Sequence, residues 1–307
     1  MNNFQNIIQT YLNYCQFQKR LDPKTLKAYK IDLGQYSDFV SHEFDRAVDF
    51  STLELFISNL HLHYKPKTAK RKIASIKAFF HYLEYKDLID FNPFNKLQIR
   101  FREPYTLPKT IPLHIIENFL STLYRQMDCQ QTDFQRKCTI RNIAVIELLF
   151  ATGMRISELC SLKPGDVDMT SGNINIYGKG AKERKIQVGN PKVTRALKLY
   201  CAEFSEYINY SGYFFTNRLK HRLSEQSVRE MINKYCSIAG INLHITPHMF
   251  RHSFATYLLE EDVDIRYIQN MLGHSSIQTT EIYTHVSMKK QMDILTNKHP
   301  RNGMHVG

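Results

Sequence analysis

No stretch of this 307-residue sequence is apolar for long enough to cross a membrane. The longest apolar runs, such as Ile143 to Thr152, are short and broken by Glu147, and the N-terminus carries no signal-like pattern. These absences set a membrane partner aside and favour a cytoplasmic location. The six cysteines (Cys15, Cys129, Cys138, Cys160, Cys201, Cys236) are scattered and form no C-x-x-C pair. They read as reduced thiols, not as a disulfide framework or a zinc site. Acidic residues are the minority charge: 29 Asp plus Glu stand against 41 Lys plus Arg, a formal net charge of +12. With membranes set aside, that excess points to nucleic acid as the polyanionic partner.

What is present is enough for two domains, each with its own core. The apolar share of 43% and charged share of 23% are ordinary for a soluble globular protein. One domain is expected over residues 1–91, a linker over 92–111 and a second domain over 112–307. Four helices are expected in the first. Ile7, Ile8, Tyr11 and Leu12 start one; Asp22-Pro23 caps the next, through Leu33, Tyr36 and Phe39. Ser51 is expected to cap the third, with Leu53, Phe56 and Leu60, and Pro66 opens the fourth, with Ile73, Ile76, Phe79, Phe80 and Leu83 inward. That fourth helix starts on KPKTAKRK, which crowds Lys65, Lys67, Lys70, Arg71 and Lys72 beside Thr68 and Ser75, residue types that contact DNA phosphates. From Asn92, four prolines and no sustained period suggest an extended linker, with Lys96, Arg100, Arg102 and Lys109 able to lie along a phosphate backbone.

In the second domain, helix signals run over Leu113 to Leu123 and Thr139 to Phe150, with a polar loop expected from Arg125 to Lys137. ATGMRISELCSLKPGDVD follows: Gly153 closes the preceding helix, Arg155 lies in the turn, and Ser157-Glu158 begins a short helix. Asn173 to Ile176 and Lys185 to Val188 alternate with period 2, so they predict a strand pair with Lys179 on a mobile, glycine-flanked tip. Pro191 to Tyr207 and Ser224 to Ala239 read as helices.

The stretch from Thr246 to His285 organises the rest. Pro247 after a candidate N-cap Thr246 predicts a helix start, with Phe250, Phe254, Tyr257 and Leu258 as its apolar face. His248 and Arg251 lie three residues apart on one side of that helix. A second helix, with Ile265, Ile268 and Leu272 inward, stops at Gly273, and His274 follows at once. Ser275 and Gln278 make a capping-box pattern for a third helix carrying Tyr283.

Singly, a histidine beside an apolar face or a lone tyrosine is usually structural. Their joint order resembles one family, the tyrosine recombinases of phage-integrase or Xer type. HMFRH is similar to that family's His-x-x-Arg, and LGHSSIQTTEIYTH to its Leu-Gly-His block followed nine residues later by the nucleophilic Tyr. Thr152 to Leu159 resembles Thr-Gly-x-Arg-x-Ser-Glu-Leu, and Gly178 to Lys182 resembles Gly-Lys-Gly-x-Lys. Phe250 stands where Leu is usual and Glu281 where Gln is common; neither is a catalytic position. The resemblance implies a mainly α protein: a four-helix, SAM-like core-binding domain, and a mainly helical catalytic domain with a small antiparallel sheet. It also implies double-stranded DNA as the substrate, and a homotetramer, or an assembly with a related recombinase, on two DNA sites. The chain starts directly in the core-binding helices, which favours a simple recombinase without an arm-binding domain.

The implied site is Arg155, Lys179, His248, Arg251, His274 and Tyr283. Tyr283 supplies the nucleophile, whose hydroxyl has an ordinary pKa of about 10 and needs a cationic site or a base to react. Arginine forks match the two non-bridging phosphate oxygens. Lys179 would protonate the leaving 5′-oxygen, His248 would take the nucleophile's proton, and His274 would hydrogen-bond the phosphate. Glu158 orients a neighbour at most. No carboxylate or His/Cys cluster near the motifs has metal-ligand spacing, so no metal or other cofactor is expected. A type IB topoisomerase shares this chemistry, but block spacing and the small helical first domain favour the recombinase. A DNA-binding regulator that has lost catalysis would lack one of the six positions, and all are filled.

Overall fold

Short side-chain caps and prolines fix the helix starts of the first half. α2 (Pro23–Phe39) begins at Asp22, whose carboxylate accepts the Lys24 N–H at 2.8 Å. α4 (Phe50–His63) begins at Asp49, which accepts both the N–H and the hydroxyl of Thr52 at 2.8 Å. Asp49 therefore replaces the expected cap Ser51, which lies inside the first turn. The computed structural model describes residues 3–99, 109–129, 132–178 and 183–273, and the chain divides into two units, Met1–Tyr105 and Thr106–Gly307.

In the first unit α1 (Asn3–Phe17), α2, α4 and α5 (Pro66–Tyr85) are the four expected helices, with α3 (Phe44–Val48) added between α2 and α4. At five residues, α3 is too short to show a period. Interlocking rings fill the core: Tyr36 meets Phe56 at 4.8 Å and Tyr11 meets Phe79 at 5.2 Å between centroids. Phe94, in a one-turn 3-10 segment capped by Asn92, packs edge-on against Phe80, and Leu97 and Ile99 follow it onto the same core. Residues 92–99 are thus drawn onto the first core by their apolar side chains.

The basic start of α5 is split between solvent and interior. Lys72 and Ser75 are buried, and both bond the buried Asp32, at 3.0 and 2.8 Å. Arg71 adds both its amino groups to the same carboxylate, and Lys72 also lies 4.8 Å over the Tyr64 ring. Lys72 and Ser75 are structural, contrary to the phosphate-contact expectation. A buried cation needs a partner, and Asp32 provides it. Lys65, Lys67 and Lys70 remain exposed.

The second unit is built around α7 (Asp133–Thr152), largely buried from Thr139 onward and packed against α6 (Leu113–Asp128), α9 (Pro191–Ser211) and α11 (Pro247–Glu260). A Thr132–Gln135 capping box starts α7 early, and α6 runs on to Asp128. Most of the expected Arg125 to Lys137 loop is therefore helix, with its polar residues on exposed ends. After α8 (Ile156–Ser161) comes an antiparallel sheet, β1 (Val167–Asp168), β2 (Asn173–Tyr177) and β3 (Glu183–Gln187), in that order. Its register pairs Ile174 with Ile186 and Ile176 with Arg184. The expected strand pair is β2 and β3; β1 is too short to read from the sequence. α10 (Glu225–Ile238) starts on the Ser224 cap, and α12 (Ile265–Leu272) ends at Gly273.

Thr246 occupies the N-cap position of α11 without a side-chain cap bond, so Pro247 sets that start. Of the expected apolar face only Phe250 is buried. Phe254, Tyr257 and Leu258 stay partly exposed along a groove of about 410 Å³ shared with Leu120 and Phe150. All six cysteines are free thiols. Among the described residues no helix is long and apolar enough to cross a membrane.

Candidate functional site

Two helix C-termini and one helix N-terminus meet around buried arginines. α7 ends at Gly153 and α12 at Gly273, both in the left-handed region, with φ of 59° and 66°. Arg251, buried on α11, donates to the Gly153 carbonyl at 2.8 Å and to the Leu272 carbonyl at 2.7 Å. Terminal carbonyls carry partial negative charge, so one guanidinium ties both helix ends together. Neither glycine can be replaced quietly. A Cβ at Gly153 would lie 2.6 Å from the Phe254 ring, and one at Gly273 would lie 2.9 Å from Arg184 Cδ.

Arg155 follows Gly153 by two residues and caps α8. Glu158 reaches back to take the Arg155 N–H at 2.7 Å and its guanidinium at 2.8 Å. The same carboxylate accepts two bonds from Arg184 of β3, at 3.0 and 2.8 Å. Burial would raise the Glu158 pKa, but the bonds from Arg184 and Arg155 outweigh it and hold the carboxyl below its ordinary range. It is a charged carboxylate at neutral pH. The Arg155 side chain keeps 37% of its surface exposed, against 7% for Arg184. Of these two arginines, Arg155 faces outward.

His248 projects from α11 on the same side as Arg251, with an edge open to solvent. Partial burial lowers its pKa first, and Arg251, Arg229 and Arg155 lower it further, so the ring is neutral at pH 7. His252, one turn on, is pushed down to about 4 by burial and by His248 and Arg251. The structure thus gathers Arg155, His248 and Arg251, with Glu158 bonded to Arg155. Lys179, His274 and Tyr283 lie outside the described residues, as do the capping box at Ser275 and the tail.

Two further neighbours escaped sequence reasoning. Arg229, paired with Glu225 on α10 at 3.1 Å, contributes to the field on His248. Arg184 carries a readable signal. It shares a strand face with the buried Ile186, and an arginine on an inward face needs a buried acceptor. A half-exposed guanidinium beside a neutral imidazole can hold a phosphate oxygen and accept a proton. Among the described residues no group of three or more His, Cys, Asp and Glu side chains could hold a metal ion.

Residues 120–290 match the phage integrase family, and residues 8–86 match the phage integrase N-terminal SAM-like domain. A tyrosine recombinase of Agathobacter rectalis is 58% identical over 305 residues, covering 99% of this chain and 100% of that protein. The tyrosine recombinase XerC of Thermodesulfovibrio yellowstonii is 34% identical over 309 residues, covering 98% of each. Among solved structures, the XerH site-specific recombinase bound to palindromic difH substrate, a post-cleavage complex, shares the fold. Its TM-score is 0.72 at 22% identity, with 94% of this chain and 83% of that chain covered. The chain belongs to the phage integrase family and is a tyrosine recombinase, an enzyme of site-specific DNA recombination.

Proposed function

We propose that this recombinase cuts and rejoins duplex DNA through a 3′-phosphotyrosine on Tyr283, without metal or ATP. The Tyr283 oxygen bonds the scissile phosphorus as the bond from phosphorus to the 5′-oxygen breaks. The phenolic proton passes to neutral His248, and Lys179 protonates the leaving 5′-oxygen. Arg155, open on one edge, takes a non-bridging oxygen, while Arg251 adds positive potential from the junction it braces. His274 completes the phosphate contacts. A phosphodiester is exchanged for a phosphotyrosyl ester of similar energy, so attack by a 5′-hydroxyl restores the DNA and Tyr283. The carrying observation is the grouping of Arg155 and Arg251 with an imidazole kept neutral by its surroundings.

The first domain, residues 1–91, and the catalytic domain, 112–307, joined through 92–111, would each contact the duplex. Four protomers would act on two DNA sites in the cytoplasm. Membership of the phage integrase family and the net charge of +12 support DNA as the partner.

The test is a nicked duplex carrying the site that the protein footprints, so that cleavage traps the covalent complex. Wild-type protein is expected to form the adduct with or without EDTA, and Tyr283→Phe to bind without forming it. An adduct that survives the substitution would overturn the nucleophile, and loss in EDTA would overturn the metal-free scheme. Relaxation of supercoiled plasmid lacking the site would instead favour the topoisomerase reading.

A further inference from the structure

We infer that Arg184 is a positioning residue that sets the reactive orientation of Arg155, an inference resting on the phosphotyrosine reading above. Arg184 does not reach the surface, since its side chain is only 7% exposed, so it has no direct use for DNA. All three of its nitrogens are directed inward. The two amino groups bond the two oxygens of Glu158 in a fork, and Nε donates to the Met271 carbonyl at 2.8 Å. Glu158 in turn holds the backbone and guanidinium of Arg155. One chain of bonds therefore joins the end of α12 through β3 to the N-cap of α8.

The geometry couples the two arginines closely. Arg184 and Arg155 donate to the same oxygen, Glu158 Oε1, at 3.0 and 2.8 Å. Wherever Arg184 places that oxygen, the Arg155 guanidinium follows. Without Arg184 the buried carboxylate would lose its fork, and desolvation would drive it to protonate or to swing toward Arg155. Lysine cannot substitute fully, because a point charge on one nitrogen cannot hold the two carboxylate oxygens and the Met271 carbonyl together. A separate feature points the same way. The missing side chain of Gly273 leaves the space that Arg184 Cδ occupies, since a Cβ there would lie 2.9 Å away. The turn after α12 and the inward arginine of β3 are fitted to one another.

The test compares phosphodiester and methylphosphonate versions of the nicked duplex in wild-type, Arg155→Ala, Arg184→Gln and Arg184→Lys full-length proteins. A methylphosphonate exchanges one charged non-bridging oxygen for a methyl group, so cleavage no longer depends on a correctly set guanidinium. Arg184→Gln is expected to bind DNA normally and cleave the phosphodiester about 10²-fold more slowly, the scale of a 1 Å misplacement. On the methylphosphonate it should approach wild type, as Arg155→Ala should, with Arg184→Lys intermediate on the phosphodiester. The ratio of the two substrates is read within one preparation, so partial unfolding of a variant does not affect it. Proportional loss on both substrates, or no loss on the phosphodiester, would overturn the positioning role while leaving the recombinase reading standing. No adduct with wild-type protein, or no rescue of Arg155→Ala, would overturn the reading and this inference with it.

Discussion

Around the site, charge states are set by crowding. Arg155 and Arg184 hold Glu158, Arg229 holds Glu225, and the neighbouring His248 and His252 are kept neutral by burial and by nearby cations. His252 is the sharper case, with its pKa pushed down to about 4 by burial and by His248 and Arg251. In the unfolded chain an imidazole titrates at about 6.5. Between those two values the unfolded state binds a proton that the folded state refuses. Stability from this residue is therefore complete above about pH 6.5 and lost as pH falls toward 4. His252→Gln, which cannot titrate, should flatten the fall of the urea midpoint between pH 6.5 and 4.5. An unchanged slope would show that other groups govern acid sensitivity.

At the scale of helices and strands, the site depends on how α7 and α12 end. Gly153→Ala combines a left-handed backbone with a Cβ 2.6 Å from the Phe254 ring. Strain and overpacking together should cost about 2–4 kcal/mol in urea unfolding. A loss below about 1 kcal/mol would mean that Phe254 moves aside freely into its groove. Both glycine stops were legible in the sequence because they punctuate a local pattern, as were the proline-led starts and the period-2 hairpin. Features decided by distant partners were not legible. Arg184 finds Glu158 26 residues away and Met271 87 away, and Lys72 finds Asp32 across 40. The run KPKTAKRK looks uniformly solvated until Asp32 selects which cations turn inward. Local competition caused the smaller misses. Asp49 outcompeted Ser51 for the same helix start, and Thr132 with Gln135 extended α7 into a stretch whose composition reads as loop.

For the whole molecule, an apolar groove on the catalytic unit offers a place where one protomer could meet another. The groove beside α11 exposes parts of Phe254, Tyr257 and Leu258 next to Leu120 and Phe150, within the catalytic unit. By sequence, the tail after Tyr283 holds Val286, Met288, Met292, Ile294 and Leu295 in a helix-compatible segment, outside the described residues. A helix of that length is marginal alone and must bury its apolar residues against something. Seated in the groove of a neighbouring protomer, it would tie the placement of Tyr283 to assembly, and a cyclic head-to-tail contact of this kind would close a ring of protomers. Truncation after Val286 should then leave single-site binding near normal while abolishing the two-site complex and recombination. Leu258→Glu, which charges the groove from the other side, should reproduce that phenotype in the full-length chain. Gel shift and light scattering read both. A truncated protein that still brings two sites together would mean that the tail packs on its own domain, and that synapsis is held by other surfaces.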